Sequence, residues 1–296
     1  MSDAGQAVID RLKAWPQYLL PQHLLTRLAT AASRSRALRR PLIGAFTRLY
    51  PVALDECVSP AEGYRCFDDF FTRALEPDAR AFPGDSDVPV SPCDGTLSRA
   101  GVVREGTVVQ AKGRTYTVAE LLGGREFAQP FADGRYITIY LAPHDYHRVH
   151  MPVAGRLIAE VRVPGRLFSV SETTTRVVDR LFARNERMIA LFETGCGPVA
   201  VVMVAAMLVA GIETAWGGPG DVRPGRQVRV TYPDREIGLA RGAELGRFHW
   251  GSTVIVLTPS GAPEWLQALH PGRRMTLGEP LCADPWSETR SDSQGP

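Results

Sequence analysis

From about Val88 onward the chain breaks into short runs of β-branched and aromatic residues, each bounded by glycine, proline or other turn residues. Residues 136–140, 157–163, 199–204, 227–231 and 253–257 are the clearest of these runs. Many short strands with turn residues between them predict a sandwich or barrel-like β core. The longest apolar stretch, residues 198–212, ends at Glu213 and reads as one buried strand. It falls short of the roughly 18–20 residues that a membrane-spanning helix needs. The first 30 residues also lack the continuous apolar region of a secretory signal. Cys57, Cys66, Cys93, Cys196 and Cys282 are odd in number and include no C-x-x-C, which points away from a disulfide framework and toward a reducing cytoplasm.

Helical signals gather near the N-terminus. Residues 1–50 read as helices that Pro16, Pro21 and Pro41 begin or break. A short helix is predicted over residues 64–74 around Phe67-Asp-Asp-Phe-Phe71, and Thr117-Val-Ala-Glu120 is a capping box opening another before Gly123. The expected class is α+β, mainly β. A β-rich sandwich or barrel-like catalytic domain spans residues 61–282, behind an amphipathic helical arm over 1–60, with a flexible polar tail over 283–296. A chain of 296 residues has room for one such core and its appendage.

Charge is unevenly placed. Arg11, Lys13, Arg27, Arg34, Arg36, Arg39, Arg40 and Arg48 fall in residues 11–50 without a single acid, although the whole chain carries only +2. Trp15, Tyr18, Leu19, Leu24, Leu28, Leu42, Phe46 and Leu49 are interleaved with them. A basic, acid-free, amphipathic arm suits an anionic membrane surface. Two other readings stay open: an arm packed on the protein's own core with its arginines solvated, and a nucleic-acid surface. The last is weakest, because the rest of the chain is acidic and carries no binding motif.

The residues that bear chemistry are few. There is no phosphate-binding G-x-x-x-x-G-K-[ST], no G-x-S-x-G and no H-E-x-x-H. Only Lys13 and Lys112 among 34 basic residues are lysine, so an amine to hold pyridoxal phosphate is in short supply. His144, His147 and His150 cluster in Pro143-His-Asp-Tyr-His-Arg-Val-His-Met-Pro152. Metal binding, surface placement and acid–base catalysis are all open to such a cluster. In an extended segment His147 faces away from the other two, and no Cys or carboxylate cluster completes a metal shell, so acid–base work is the better reading. Ser91-Pro-Cys-Asp94-Gly95-Thr96 reads on its own as a tight turn, and Gly246-Arg-Phe-His-Trp-Gly251-Ser252-Thr253 as a strand entry. Together they supply the Ser, His and Asp that activate a hydroxyl nucleophile.

In combination these segments resemble the pyruvoyl-dependent bacterial phosphatidylserine decarboxylases. The matching pieces occur in the family's order: Phe67-x-x-Phe70-Phe71-x-Arg73, Ser91-Pro-x-Asp94-Gly95, Asp145-Tyr-His-Arg-Val-His-Met-Pro152 and Pro164-Gly-x-Leu-Phe-Ser-Val170. Leu181-Phe-Ala-Arg-Asn-Glu-Arg187, Val204-x-Ala-x-x-Val-x-x-Ile-x-Thr214 and Gly246-Arg-Phe-x-x-Gly-Ser-Thr253 follow. Trp250 departs from the leucine the family usually has before Gly-Ser-Thr, a change that touches packing and leaves the scissile pair intact.

The resemblance implies a zymogen and a carboxy-lyase acting on phosphatidylserine to give phosphatidylethanolamine and carbon dioxide. The Ser252 hydroxyl attacks the Gly251 carbonyl, the resulting ester eliminates to dehydroalanine, and loss of ammonia leaves a covalent pyruvoyl group that condenses with the substrate amine as a Schiff base. Asp94, His150 and Ser252 form the implied self-cleavage relay, His147 serves decarboxylation by protonating the product carbanion, and neither pyridoxal phosphate nor metal takes part. Glycine at 251 suits hydroxyl approach and backbone strain. The implied partners are phosphatidylserine in an anionic membrane surface and the large and small chains of one precursor, at the cytoplasmic face of the cell membrane. A homodimer is left open, and nucleic acid is not expected. A soluble pyruvoyl-dependent amino-acid decarboxylase, a membrane-surface serine hydrolase and a non-catalytic β-domain adaptor are the rival readings.

Overall fold

Prolines divide the arm where the sequence predicts. The computed structural model describes residues 3–84, 87–111, 113–195, 197–207, 211–219, 226–230, 232 and 235–285. Helix α1 (Asp3–Ala14) stops before α2 (Pro16–Leu19), which Pro16 opens. Helix α3 (Gln22–Ser33) follows Pro21, and α4 (Arg39–Leu49) carries Pro41 in its first turn, where a missing N–H breaks no hydrogen bond. The predicted helix over 64–74 is shorter, α5 (Phe67–Phe71).

The arm is docked on the body. Gln17 Oε1 accepts the Ser169 N–H at 2.8 Å, Gln22 Oε1 accepts the Leu167 N–H at 2.9 Å, and Arg176 donates to the buried Asp10 at 2.8 Å. Helix α3 is consequently inside out. Its buried residues are Gln22, Thr26 and Ser33, whereas Leu24 and Leu28 are 54% and 60% exposed. An ordinary surface helix turns its apolar stripe inward.

Strands β1 (Gly95–Val102), β2 (Thr107–Ala111) and β3 (Arg114–Thr117) open the body. The capping box forms as predicted: Thr117 Oγ1 accepts the Glu120 N–H and starts α6 (Val118–Leu122). Then come β4 (Arg135–Leu141), β5 (Arg148–His150) and β6 (Gly155–Val163), followed by the short helices α7 (Glu172–Thr175) and α8 (Leu181–Arg184). Next are β7 (Arg187–Thr194), β8 (Gly197–Ala205), β9 (Ile212–Thr214), β10 (Gly218–Pro219) and β11 (Val228–Val230). Last come β12 (Gly238–Leu239), β13 (Glu244–Phe248), β14 (Ser252–Thr258) and β15 (Arg274–Met275).

The large sheet runs β11-β6-β7-β8-β14-β4-β1-β15 with β12 beside β6; the second runs β10-β9-β13-β5. Val149, Ile212, Leu245 and Phe248 from the second sheet share one hydrophobic core with Met203, Val254 and Ile139 of the first. Among the described residues the sheets are open-ended, so of the two core types expected the arrangement is sandwich-like and no barrel closes. Every residue of β14 is buried, as its Ser-Thr-Val-Ile-Val-Leu-Thr sequence predicts. One expectation needs correction. The run 198–212 is not a single strand: β8 ends at Ala205, and Ile212 begins β9 in the other sheet. Lys112, Cys196, Thr231 and the tail beyond residue 285 lie outside the described residues. No helix among those described is long and apolar enough to cross a membrane.

Candidate active site

Ser252 heads β14, the strand hydrogen-bonded to β8 on one side and β4 on the other. It is fully buried, and its Oγ has no hydrogen-bond partner among the described residues. Two residues earlier, Trp250 adopts φ 116°, a conformation that L-residues rarely take. Such backbone costs on the order of 1–3 kcal/mol and persists where the surroundings over-determine it. Here the indole lies on Phe71 (5.4 Å between centroids, 21° between planes) and against Phe67 (5.0 Å). Gly251 itself is uncrowded, since a Cβ there would meet only Leu141 O at 3.6 Å. The strain expected at Gly251 therefore falls one residue earlier, and packing does not demand glycine at 251.

The three clustered histidines go to three environments, because only residues 148–150 of the segment are strand. His144 is partly exposed, its Nε2 3.5 Å from Asp145. His147 is fully buried, with its ring 4.1 Å from that of Phe71. Its Nδ1 lies 2.8 Å from the Asp145 carbonyl, which can only accept, so Nδ1 carries the hydrogen. Burial pulls its pKa down to about 3, so the ring is neutral and its Nε2 lone pair has no hydrogen-bond partner among the described residues. His150 donates from Nδ1 to the Gly242 carbonyl at 2.8 Å and accepts the Tyr146 hydroxyl at Nε2 (3.0 Å). Burial lowers its pKa too, so this ring is also held neutral.

Asp94 sits just before β1, its carboxylate engaged by Arg80 at 2.5 and 3.1 Å and by the Leu277 N–H at 2.8 Å. Arg80 also holds Glu56 at 2.9 Å. The fork geometry of Arg80 takes both carboxylate oxygens. Among the described residues, then, no direct hydrogen bond joins Asp94 to His150 or His150 to Ser252. Asp94 and His150 come close to one another, with the His150 N–H on the Pro92 carbonyl at 2.8 Å, but no hydrogen bond among the described residues ties either of them to Ser252. Asp94 reaches His150 through space, where its charge opposes the effect of burial on the ring. Asp94-Gly95 is also a strand entry and not a hairpin turn. Glycine is needed because a Cβ at 95 would come within 2.5 Å of Tyr140 O on β4.

Sequence reasoning missed Arg80 and the hydroxyl of Tyr146. Arg80 carries no motif, and Tyr146 lies inside the quoted histidine segment with nothing to mark its ring partner. The family-like segments do explain the frame. Asn185 is fully buried and clamps Phe168, donating to its carbonyl at 2.8 Å and accepting its N–H at 3.1 Å. A cavity of about 380 Å³ lies at the foot of α4, lined by Leu42, Phe46, Leu49, Phe67, Tyr140, Val170, Trp250 and Gly251 among others. The Gly251 backbone thus forms part of the wall of a mainly apolar cavity.

A family model described as phosphatidylserine decarboxylase matches residues 67–283, and a second, described as PSD, matches residues 12–51. The phosphatidylserine decarboxylase proenzyme of Bordetella avium is 47% identical over 282 residues, covering 93% of this chain and 95% of that protein. Proteins of the same name from Hahella chejuensis and Alkalilimnicola ehrlichii are 44% and 45% identical, covering 93% and 91% of this chain and 94% and 96% of theirs. Arm and body are both matched, at high identity and nearly full length, and the chain belongs to the phosphatidylserine decarboxylase family.

Proposed function

We propose that this chain is a proenzyme that cleaves itself between Gly251 and Ser252 and then decarboxylates phosphatidylserine to phosphatidylethanolamine and carbon dioxide. The observation that carries the reading is the buried Ser252 Oγ at the head of β14, without a hydrogen-bond partner among the described residues, two residues after the strained Trp250 and one after Gly251 in the wall of an apolar cavity. A hydroxyl held by no hydrogen bond is free to attack the neighbouring Gly251 carbonyl. The peptide bond then breaks, an ester forms, and the constraint on the Trp250 backbone is released. His150, kept neutral by burial, accepts the Ser252 proton at Nε2 once the Tyr146 hydroxyl gives way. Asp94 stabilises the charged ring from a distance, its own position fixed by Arg80.

The site fits a pyruvoyl group derived from Ser252: the position is buried and closely framed by β8 and β4. That group supplies a carbonyl as the electron sink that amino-acid decarboxylation needs. His147 serves this second stage. With Nδ1 fixed on the Asp145 carbonyl and the ring neutral, it starts as a proton acceptor at Nε2 and only then returns a proton to the carbon that lost carbon dioxide. The apolar cavity suits the lipid part of the substrate. Exposed Leu12, Trp15, Leu19, Leu24 and Leu28 on the arm, together with its cations, suit a peripheral protein on the cytoplasmic face of an anionic membrane.

The test is the denatured mass of wild type and Ser252→Ala beside carbon dioxide release from phosphatidylserine. Wild type should give chains 1–251 and 252–296, the smaller without a free amine and reactive to carbonyl reagents. Ser252→Ala should stay intact and inactive. Fully intact, fully active wild type would overturn the reading. Release of free fatty acid would point to the hydrolase, and equal turnover of free serine and lipid to the soluble decarboxylase.

A further inference from the structure

His249 stands two residues before Gly251 of the scissile peptide, one residue past the end of β13, and is buried at 6% exposure. Its Nδ1 lies 2.9 and 3.1 Å from the two carboxylate oxygens of Asp68 on α5. Its Nε2 lies 3.1 Å from Glu213 Oε2 on β9. Carboxylates accept and do not donate, so both contacts are made together only by a ring with hydrogen on both nitrogens. The clamp spans two elements and reaches the arm, since Arg34 lies 3.6 Å from Asp68. Arg247 is 4.0 Å from Glu213 on the other side. The next residue is Trp250, with its φ of 116°.

Strain of this kind lasts only where flanking groups leave the backbone no alternative. On the far side, Ser252 is fixed by the β14 register. The Trp250 ring is fixed by Phe67 and Phe71. The backbone entering Trp250 is held by the His249 N–H on the Gly211 carbonyl at 3.2 Å, and the double carboxylate grip on the His249 ring adds the side-chain hold that fixes its direction. Charge-assisted hydrogen bonds are about twice as strong as neutral ones, and two on opposite edges of one ring fix its plane as well as its place.

We propose that His249 is a positioning residue for self-cleavage, its cationic ring held between Asp68 and Glu213 so that the Trp250–Gly251 backbone keeps the Gly251 carbonyl within reach of Ser252. The inference rests on the self-cleavage reading above. Misplacing reacting atoms by about 1 Å can cost on the order of 100-fold in rate. His249 does not touch the reacting atoms, so its effect is on precursor cleavage through the backbone.

The experiment follows cleavage of newly synthesised full-length chain on denaturing gels for wild type, His249→Gln, His249→Lys, Glu213→Gln and the Glu213→Gln/His249→Gln double variant. His249→Gln and Glu213→Gln should each slow cleavage at least about tenfold, and the double variant should be no slower than the slower single, because both remove one clamp. His249→Lys, which restores the cation, should recover at least half of the lost rate on a logarithmic scale; a residue needed only for folding has no reason to follow charge. Melting curves of the precursors accompany the rates. If wild type cleaves and His249→Gln matches it within twofold, or if the single effects multiply, or if Lys is as slow as Gln, the proposal is overturned. Should His249→Gln fail to fold, Glu213→Gln decides by the same rate criterion, since that carboxylate is on the partly exposed side of the clamp. Wild type that never cleaves sinks the self-cleavage reading instead, which keeps the two failures apart.

Discussion

At the scale of single residues, burial sets what each titratable group can do, and the consequences run in opposite directions with pH. The folded chain holds His147 neutral down to about 3, whereas an unfolded histidine takes up its proton near 6.5. The unfolded state therefore binds more protons between those values, and this residue's contribution destabilises the fold as pH falls from 6.5 toward 3. Glu186 does the reverse. Burial raises its carboxyl to about 7 from 4.5, so its contribution declines as pH rises from 4.5 through 7. Melting of uncleaved Ser252→Ala background protein should show it: adding His147→Gln narrows the acid-side loss, and adding Glu186→Gln raises Tm at pH 8 relative to pH 5. Parallel pH curves for all three proteins would refute both assignments. On the proposed function the stages of reaction should separate by residue as well. His150→Ala and Asp94→Asn should leave the precursor uncleaved, while His147→Ala cleaves but decarboxylates roughly 10²–10⁴-fold more slowly, the usual size of acid–base assistance. A gel beside a carbon dioxide assay reads both, and normal cleavage of His150→Ala would remove it from the relay. Ser252, Gly251 and the two histidines could be singled out from sequence because they sit in contiguous motifs, whereas the separate roles proposed for His147 and His150 rest on the family resemblance. Arg80 could not be singled out, since its bond to Asp94 is made by folding across 14 positions with no local pattern to announce it.

At the scale of elements, helix α3 shows how far pattern alone carries. Its helical form and amphipathicity are readable from sequence, but which face is inside is set by the body it meets. Gln22 and Gln17 supply acceptors to the Leu167 and Ser169 N–H groups, so the polar face is buried and the leucines are left out. Two kinds of substitution should therefore part company. Gln22→Ala strands a buried N–H and should cost about 1–3 kcal/mol of stability. Leu24→Ser with Leu28→Ser should leave Tm within a degree or two yet weaken sedimentation with anionic liposomes, each leucine contributing up to about 1.5–3 kcal/mol when it enters the headgroup region. Leucine variants that melt early and bind liposomes normally would favour the arm as a packing element only. The strands were legible for the same reason as the helix, through bulk and short length between turn residues. The division of residues 198–212 between β8 and β9 was not, because an apolar run stays apolar when the chain passes from one sheet to the other around a shared core.

At the scale of the whole molecule, the place of β14 bears on what cleavage would leave behind. A cut between Gly251 and Ser252 falls at the very head of the strand, so all its ladder pairing lies on the small-chain side: Ser252 to Thr258 against β4, Ser252 to Leu257 against β8. Severing that peptide removes no pairing from the centre of the sheet. The same small chain returns at the sheet's edge, where β15 pairs with β1, and the Leu281 N–H donates to the Pro89 carbonyl at 2.9 Å. Val254, Ile255, Val256, Leu257, Met275 and Leu281 are each at most 2% exposed. At about 1.5–3 kcal/mol for each fully buried side chain, these six alone oppose separation by roughly 9–18 kcal/mol before any backbone hydrogen bond is considered. Residues 1–251 without them would expose the inner edges of β4 and β8, an open slot in the middle of a sheet that invites aggregation. Cleaved protein should therefore run as one species on size exclusion at nanomolar concentration in native buffer. Its two chains should part only in denaturant, at the same midpoint at which the fold is lost. A small chain that washes away from a still-folded large chain would show that β14 is not held as its pairing and burial require.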